Sequence, residues 1–401
     1  MLEQITCPAD LRRLSHDDLG LLSHEIRNFI VETVQENGGH LGSNLGVVEL
    51  TIALHRVFDS PRDIMLWDTG HQAYVHKMLT GRLENFKSLR KAGGLSGYPS
   101  RAESEHDWIE NSHASTALSY AFGIATAQAS DEGEGRRVLA VIGDGALTGG
   151  MAFEGLNNLG HAGSNAIIIL NDNGRSYAPT VSLLSDSLKK LRNNPKYLEQ
   201  QEKLENKVKS LLPSKEVMGL SVERAIDAAK AAVREIWDPT SFFEDLGLRY
   251  NGPFDGHNIE ALEKAFRNAA GFEGPTVIHV LTEKGRGYGP AENDPIKRLH
   301  DIGKPKPESY TAAFTEILIK EAENRSDLVA ITAAMPDSTG LLPFSERFPE
   351  RFFDVGIAEQ HATTAAAGMA MGGLRPVIAV YATFLNRAFD QINFDVALHN
   401  Q

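Results

Sequence analysis

The chain has 401 residues, 42% of them hydrophobic and 23% charged, the composition of a globular protein large enough for two domains. Its net charge of −13 excludes a general binder of nucleic acid or of anionic membrane. A single cysteine, Cys7, excludes an intrachain disulfide and a cysteine-rich metal site and fits a reducing compartment. The opening Met1-Leu-Glu-Gln lacks the basic start and apolar run of a secretory signal. No stretch approaches the roughly 18 apolar residues that cross a bilayer, so the expectation is a cytoplasmic protein.

Apolar side chains at Ile26, Phe29, Ile30 and Val34 predict a helix from about Leu22 to Glu36, ended by Gly38-Gly39. A second helix is expected over Val47 to Phe58. Short apolar runs bounded by glycine-bearing loops predict buried strands at Ile64–Trp67, Val138–Ile142, Ala166–Leu170 and Thr276–Leu281. Helical patterns lie between these strands, so the expected fold class is α/β with a doubly wound parallel sheet. The stretch at about 180–240 is rich in Lys, Glu, Gln and Asn and reads as a solvated helical insertion. Lys304-Pro-Lys-Pro-Glu is a proline-bearing linker, placing the boundary of the first domain near residue 305. After it the pattern restarts: helix Tyr310–Glu323, strand Leu328–Thr332, helix Ala358–Met371, strand Val377–Val380 and helix Thr383–Leu398.

The strongest chemical signal is Gly143-Asp144-Gly145, with Asn173 lying 29 residues beyond Asp144 in Asn171-Asp172-Asn173. Both clusters follow strands, where open α/β sheets bind ligands. A carboxylate and an amide oxygen are hard ligands suited to Mg²⁺, which takes few protein ligands and completes its shell with phosphate oxygens. Glycines beside Asp144 admit close approach of a diphosphate, and the helix that follows offers free N–H groups. This pairing matches the thiamine-diphosphate-binding signature.

Further segments extend the match in order: Gly38-Gly-His-Leu-Gly-Ser-Asn-Leu-Gly46, Asp68-Thr-Gly-His-Gln-Ala-Tyr74, Ser112-His113-Ala114-Ser115-Thr116, Asp255-Gly-His257, Lys284-Gly-Arg-Gly-Tyr288, Ile357-Ala-Glu-Gln-His361 and Tyr381-Ala-Thr-Phe-Leu385. Along its whole length the chain resembles the 1-deoxy-D-xylulose-5-phosphate synthase family, in particular its actinobacterial branch. The resemblance implies thiamine diphosphate and Mg²⁺ as cofactors and a homodimer as the assembly. It also implies condensation of pyruvate with D-glyceraldehyde 3-phosphate, with loss of CO₂, to give a precursor for isoprenoids, thiamine and pyridoxal.

Carried over residue by residue, the resemblance makes Asp144, Asn173 and the backbone carbonyl of Arg175 the metal ligands. Ser112, His113, Ala114, Gly145 and Ala146 line the diphosphate and thiazolium, while His71 and Tyr288 contact the cofactor. His40 and His300 face the reacting carbon, and Glu359 hydrogen-bonds the aminopyrimidine ring. Tyr381 and Arg387 are candidates for the acceptor's phosphate. His24, His161, His257 and His399 read instead as surface or hydrogen-bonded structural residues. Ser112 stands where most of the family has glycine, and Gly174 where an acidic residue is usual, which would loosen the loop carrying Arg175. The second domain, 306–401, is expected to be an incomplete pyrimidine-binding domain, since family members continue beyond it. Two rivals accompany this reading: a transketolase-type enzyme with the same cofactor signature, and a non-catalytic cofactor-binding fragment.

Overall fold

A computed structural model describes residues 1–130, 135–175, 216–217, 220–221, 241–295, 297–302 and 309–401. The expected insertion at about 180–240 therefore lies outside the described residues, save for a short antiparallel pair, 216–217 with 220–221. The linker at 304–308 and the boundary near residue 305 lie outside them as well.

The first sheet has five parallel strands: β1 (Ile64–Trp67), β2 (Val138–Gly143), β3 (Ile167–Asp172), β4 (Arg249–Asp255) and β5 (Thr276–Leu281), in the order β1-β2-β3-β5-β4. Strands β1, β2, β3 and β5 are apolar on both faces, and the two-residue period of a strand divides their side chains between two cores. Met65, Leu139, Val141, Ile169 and Ile278 pack beneath helices α1 (His16–Asn37), α2 (Val48–Val57) and α5 (Ile259–Ala270). Leu66, Ala140, Ile142, Ile168 and Val277 pack beneath α3 (Ala117–Ser130) and α4 (Gly150–His161). Helices on both faces make this the doubly wound sheet that the sequence pattern predicts.

The second sheet has three parallel strands, β6 (Leu328–Thr332), β7 (Phe352–Asp354) and β8 (Arg375–Ile378), with β6 in the middle. Helices α6 (Tyr310–Asn324) and α7 (Glu359–Met371) accompany it. Its cores are small, built from residues such as Leu318, Leu328, Ala330 and Phe344 on one side and Ile331, Ala362 and Ala366 on the other.

Several elements differ from expectation. Helix α1 starts at His16, because Ser15 accepts from the Asp18 N–H (3.2 Å) while the Asp18 carboxylate reaches back to the Ser15 N–H (3.2 Å); this capping box satisfies donors the helix leaves open. Strand β4 is absent from the sequence reading, since Asn251-Gly252-Pro253 interrupts its pattern. The structure accommodates the proline on the edge strand, where the register shifts between Asn251 and Phe254. The expected helix Thr383–Leu398 is not one helix. It divides into Ala382–Leu385, a turn at Asn386–Ala388, Phe389–Gln391 and a wider coil at Ile392–Ala397, with a non-helical backbone at Ala388 (φ −99°, ψ 22°) and that residue fully buried.

Candidate active site

The carboxyl ends of β1, β2, β3 and β6 converge on one cleft enclosing about 930 Å³, which includes space open to solvent. Sheet register brings the two sequence clusters together, because β2 and β3 are neighbours with Gly143 opposite Asn171. The Asn173 N–H points at Asp144 Oδ1 (3.4 Å), and both residues line the cleft. Asn171 and Asp172 are committed elsewhere. Asn171 Nδ2 donates to Gln72 Oε1 (2.8 Å) and its Oδ1 accepts from Thr282 (2.5 Å), while Asp172 Oδ2 accepts from His279 (3.0 Å). Asn173 alone of the three faces the cleft.

Gly174 has φ +71°, a conformation glycine adopts without the penalty a side chain would bring. Its N–H donates to Asp172 Oδ1 (3.1 Å), and the next N–H, of Arg175, donates to Asn173 Oδ1 (3.1 Å). Glycine thus suits this turn without strain, and the loop leading to Arg175 is held by these two hydrogen bonds.

His40, His71 and His300 meet edge to face or tilted in one wall of the cleft, their ring centroids 5.2–5.4 Å apart. Burial keeps all three neutral: His40 is pushed down to about 4, chiefly by desolvation and then by Arg90, and His71 and His300 fall well below the usual histidine range. His300 Nδ1 accepts from Lys284 Nζ (2.8 Å) and from Ser43 Oγ (3.2 Å), so its ring proton sits on Nε2. Desolvation lowers Lys284 to about 7.

On the opposite wall Glu359 begins helix α7 and is 2% exposed. Burial raises its pKa, an effect that its own backbone N–H, then Arg387 and His113, only partly offset. Arg387 lines the cleft, donating a hydrogen bond to the Ala114 carbonyl and so tying the two sheets together. Ser112, Ala114, Gly145 and Ala146 line the cleft as well.

Three expected contact residues lie elsewhere. Tyr288 is outside the cleft lining: its ring packs on the first core and its hydroxyl accepts from Gln35 (2.7 Å). Gly285 (φ +84°) and Gly287 (φ +78°) turn the chain there, and Lys284, four residues before Tyr288, reaches His300. His113 turns towards the second sheet, donating to the Thr383 carbonyl (3.0 Å) with its ring against Phe384 (5.0 Å). Tyr381 is 43% exposed and stacks on Phe384 at 6.0 Å.

Other cleft residues escaped the sequence reading. Asp68 accepts from the N–H groups of Ser115 (2.8 Å) and Ala117 (3.0 Å) and so holds the turn that presents Ser112 and Ala114. Ala333, Ala334 and Met335 line the cleft just beyond β6. Asp68 and Lys284 stood inside conspicuous motifs, whereas small residues after a strand are the sole signal at 333–334. His257 is hydrogen-bonded as its structural reading requires, to Glu49 Oε2 (3.0 Å) and to the Glu283 N–H (3.0 Å).

A family profile described as 1-deoxy-D-xylulose-5-phosphate synthase matches residues 2–282, and one described as the transketolase pyrimidine binding domain matches residues 306–401. The 1-deoxy-D-xylulose-5-phosphate synthase of Mycobacterium avium (strain 104) is 55% identical over 409 residues, covering 100% of this chain and 63% of that protein. Its counterpart in Mycobacterium leprae (strain Br4923) is 56% identical with the same coverage, 100% and 63%. Among solved structures, transketolase from Leishmania mexicana covers 93% of this chain and 66% of its own, with a TM-score of 0.49 at 16% identity. The chain thus spans 63% of the length of the two curated relatives named. With 281 consecutive residues matched by one profile (2 to 282 inclusive), the chain belongs to the 1-deoxy-D-xylulose-5-phosphate synthase family.

Proposed function

We propose that the chain binds thiamine diphosphate with Mg²⁺ and contributes to the condensation of pyruvate with D-glyceraldehyde 3-phosphate that gives 1-deoxy-D-xylulose 5-phosphate and CO₂. In this reading residues 1–305 hold the diphosphate end, and residues 306–401 belong to the domain that holds the pyrimidine end. A homodimer in the reducing cytoplasm is part of the proposal; the exposed lone thiol of Cys7 fits that compartment.

The observation that carries the reading is the juxtaposition of Asp144 and Asn173 at neighbouring strand tips, in the same cleft as a buried Glu359 on the second sheet. The lining also suits a polar heteroaromatic ligand. His40 Nδ1, His71 Nδ1 and Glu359 Oε2 are buried polar atoms without a hydrogen-bond partner among the described residues, an arrangement that costs free energy unless a ligand satisfies it. Asp144 and Asn173 would hold Mg²⁺, with the Arg175 carbonyl beside them. One carboxylate with amide and carbonyl oxygens fits Mg²⁺, which draws its remaining ligands from phosphate and water.

Thiamine diphosphate, when bound, supplies the carbanion chemistry by which a 2-oxo acid loses CO₂ and joins an aldehyde. The chain's own groups bind and handle protons. Glu359, its acid form favoured by burial, can share a proton with a ring nitrogen through Oε2. Neutral His40, His71 and His300 can each donate from one nitrogen and accept at the other, and Lys284 secures His300 in one tautomer. Arg387, already at the wall, is the candidate for the acceptor's phosphate.

Calorimetric titration of the chain with thiamine diphosphate and Mg²⁺ tests the proposal. Asp144→Ala and Asn173→Ala should each weaken binding at least about 100-fold, roughly 2.8 kcal/mol. Unchanged affinity in both variants would sink it. An assay offering pyruvate against a ketose phosphate donor separates the synthase reaction from ketol transfer, and activity with the ketose alone would overturn the synthase assignment.

A further inference from the structure

Residues 92–116 form no helix or strand, yet they supply Tyr98, Ser112 and Ala114 to the cleft. A segment with no hydrogen-bond ladder of its own must find other partners for its buried backbone groups. Here two anions provide them, Asp107 buried and Glu103 partly exposed. Glu103 accepts from the Ser96 N–H (2.6 Å), and Asp107 accepts from the Ser100 N–H (2.7 Å). These contacts bracket Tyr98, whose own N–H donates to Ser96 Oγ (3.1 Å) and whose ring meets the edge of His40 at 5.8 Å.

Both anions are fixed from the other side by the segment that follows the first strand. Arg82 grips Asp107 through two nitrogens (2.5 and 3.0 Å), and Lys77 pairs with Glu103. His76 Nε2 donates to Asp107 Oδ1 (3.0 Å), and His76 Nδ1 accepts from His55 (2.9 Å). Asp107, His76 and His55 are 4%, 0% and 0% exposed, and none of them lines the cleft. Two cations thus face two anions, and the Arg82–Asp107 pair tolerates little movement because either charge, once unpaired, would be stranded away from water.

We infer that Asp107 is a positioning residue: through the Ser100 N–H it holds the loop that presses Tyr98 against His40, closing that wall of the cleft. His40 is also faced by His71 and His300, with Arg90, Asp301 and Lys284 as the charged groups around it. Tyr98 is the side chain on that wall which the clamp controls.

The test uses histidine-labelled full chain and follows the His40 resonance by NMR, with Tyr98→Ala marking its position when the wall is open. In Asp107→Asn the resonance should move towards its position in Tyr98→Ala. Its titration midpoint, about 4 in the intact chain, should rise towards the ordinary 6.5. His279, held on the first sheet by Tyr250 (2.6 Å) and Asp172 (3.0 Å), should stay where it is. A folded Asp107→Asn whose His40 signal matches the intact chain overturns the inference. So does one in which His279 moves equally, since that would signify general loosening, or a Tyr98→Ala that leaves His40 unmoved. Should Asp107→Asn not fold, Arg82→Lys, which keeps the charge and loses the two-pronged grip, carries the same outcomes. No cofactor enters either measurement, so its failure and failure of the thiamine diphosphate reading are separate events.

Discussion

Glu359 carries a stability cost that its proposed role would put to use. Buried at a helix start, with Oε2 unpartnered among the described residues, it has its pKa raised. A raised carboxyl contributes stability that is full below its ordinary value and is lost as pH rises through the folded value. Glu359→Gln should therefore remove that loss, leaving the chain at pH 8 as stable as the parent or more so, within about 1 kcal/mol by thermal denaturation, while weakening cofactor binding. A less stable variant would show the carboxylate to be satisfied in a way the geometry does not display. Gly149 is constrained differently: a Cβ there would collide with Ser115 Oγ and approach the Ile357 carbonyl to 3.1 Å. Overpacking of this kind costs about 1–3 kcal/mol, so Gly149→Ala should lower the unfolding free energy from urea denaturation by that amount. Asp144 and Asn173 stood out by their paired motif and Glu359 by the family resemblance, and all three line the cleft. That Tyr288 points away and Lys284 points in was not legible, because the turn between them depends on two glycine conformations that spacing does not encode.

At the scale of elements, the central strands stand on their apolar content. Ile169 on β3 is fully buried against one core while Ile168 faces the other. Ile169→Ala should cost about 2–5 kcal/mol in chemical denaturation, the range for emptying a packed site of that size. Helices α1 and α2 are joined by a buried pair, Arg27 to Glu49 at 2.6 and 2.7 Å, with His257 as third member. Glu49→Leu should destabilise the chain by about 3–5 kcal/mol because Arg27 stays buried without its partner, whereas adding Arg27→Met should recover most of the loss. An additive double variant would show that the pair is not coupled. Five strands were read at nearly their observed bounds because short apolar runs between glycines have few alternatives. Strand β4 was missed because its pairing with β5 outweighs the local preference of Gly252-Pro253 for a turn.

The molecule as a whole stores several neutral histidines and depressed carboxylates, and these set its response to acid. His40 and His106 are pushed down to about 4 and His55, His71 and His300 well below 6.5, all first by burial. The unfolded chain takes up protons at these sites below about 6.5 while the folded chain does not, so stability falls as pH drops from there towards 4. Glu49, held at about 2 by His257 and Arg27 against burial, extends the same loss below 4.5. Asp68, Asp354 and Glu359, raised by burial, work in the opposite sense. Each neutral histidine adds a slope of about 1.4 kcal/mol per pH unit, so urea midpoints should drop steeply between pH 7 and pH 5; a flat profile would mean that these rings are hydrated. By itself the sequence determined the α/β class, the restart of the pattern after residue 305 and the candidate ligand motifs, because strand runs and glycine-flanked polar clusters are local features. Only the tertiary structure decided that Asp144 and Asn173 adjoin, that Glu359 and Arg387 close the same cleft from the second sheet, and that Tyr98 forms a wall of it. Those relations arise from strand order and from buried charge pairing between distant segments, and residue spacing along a chain carries neither.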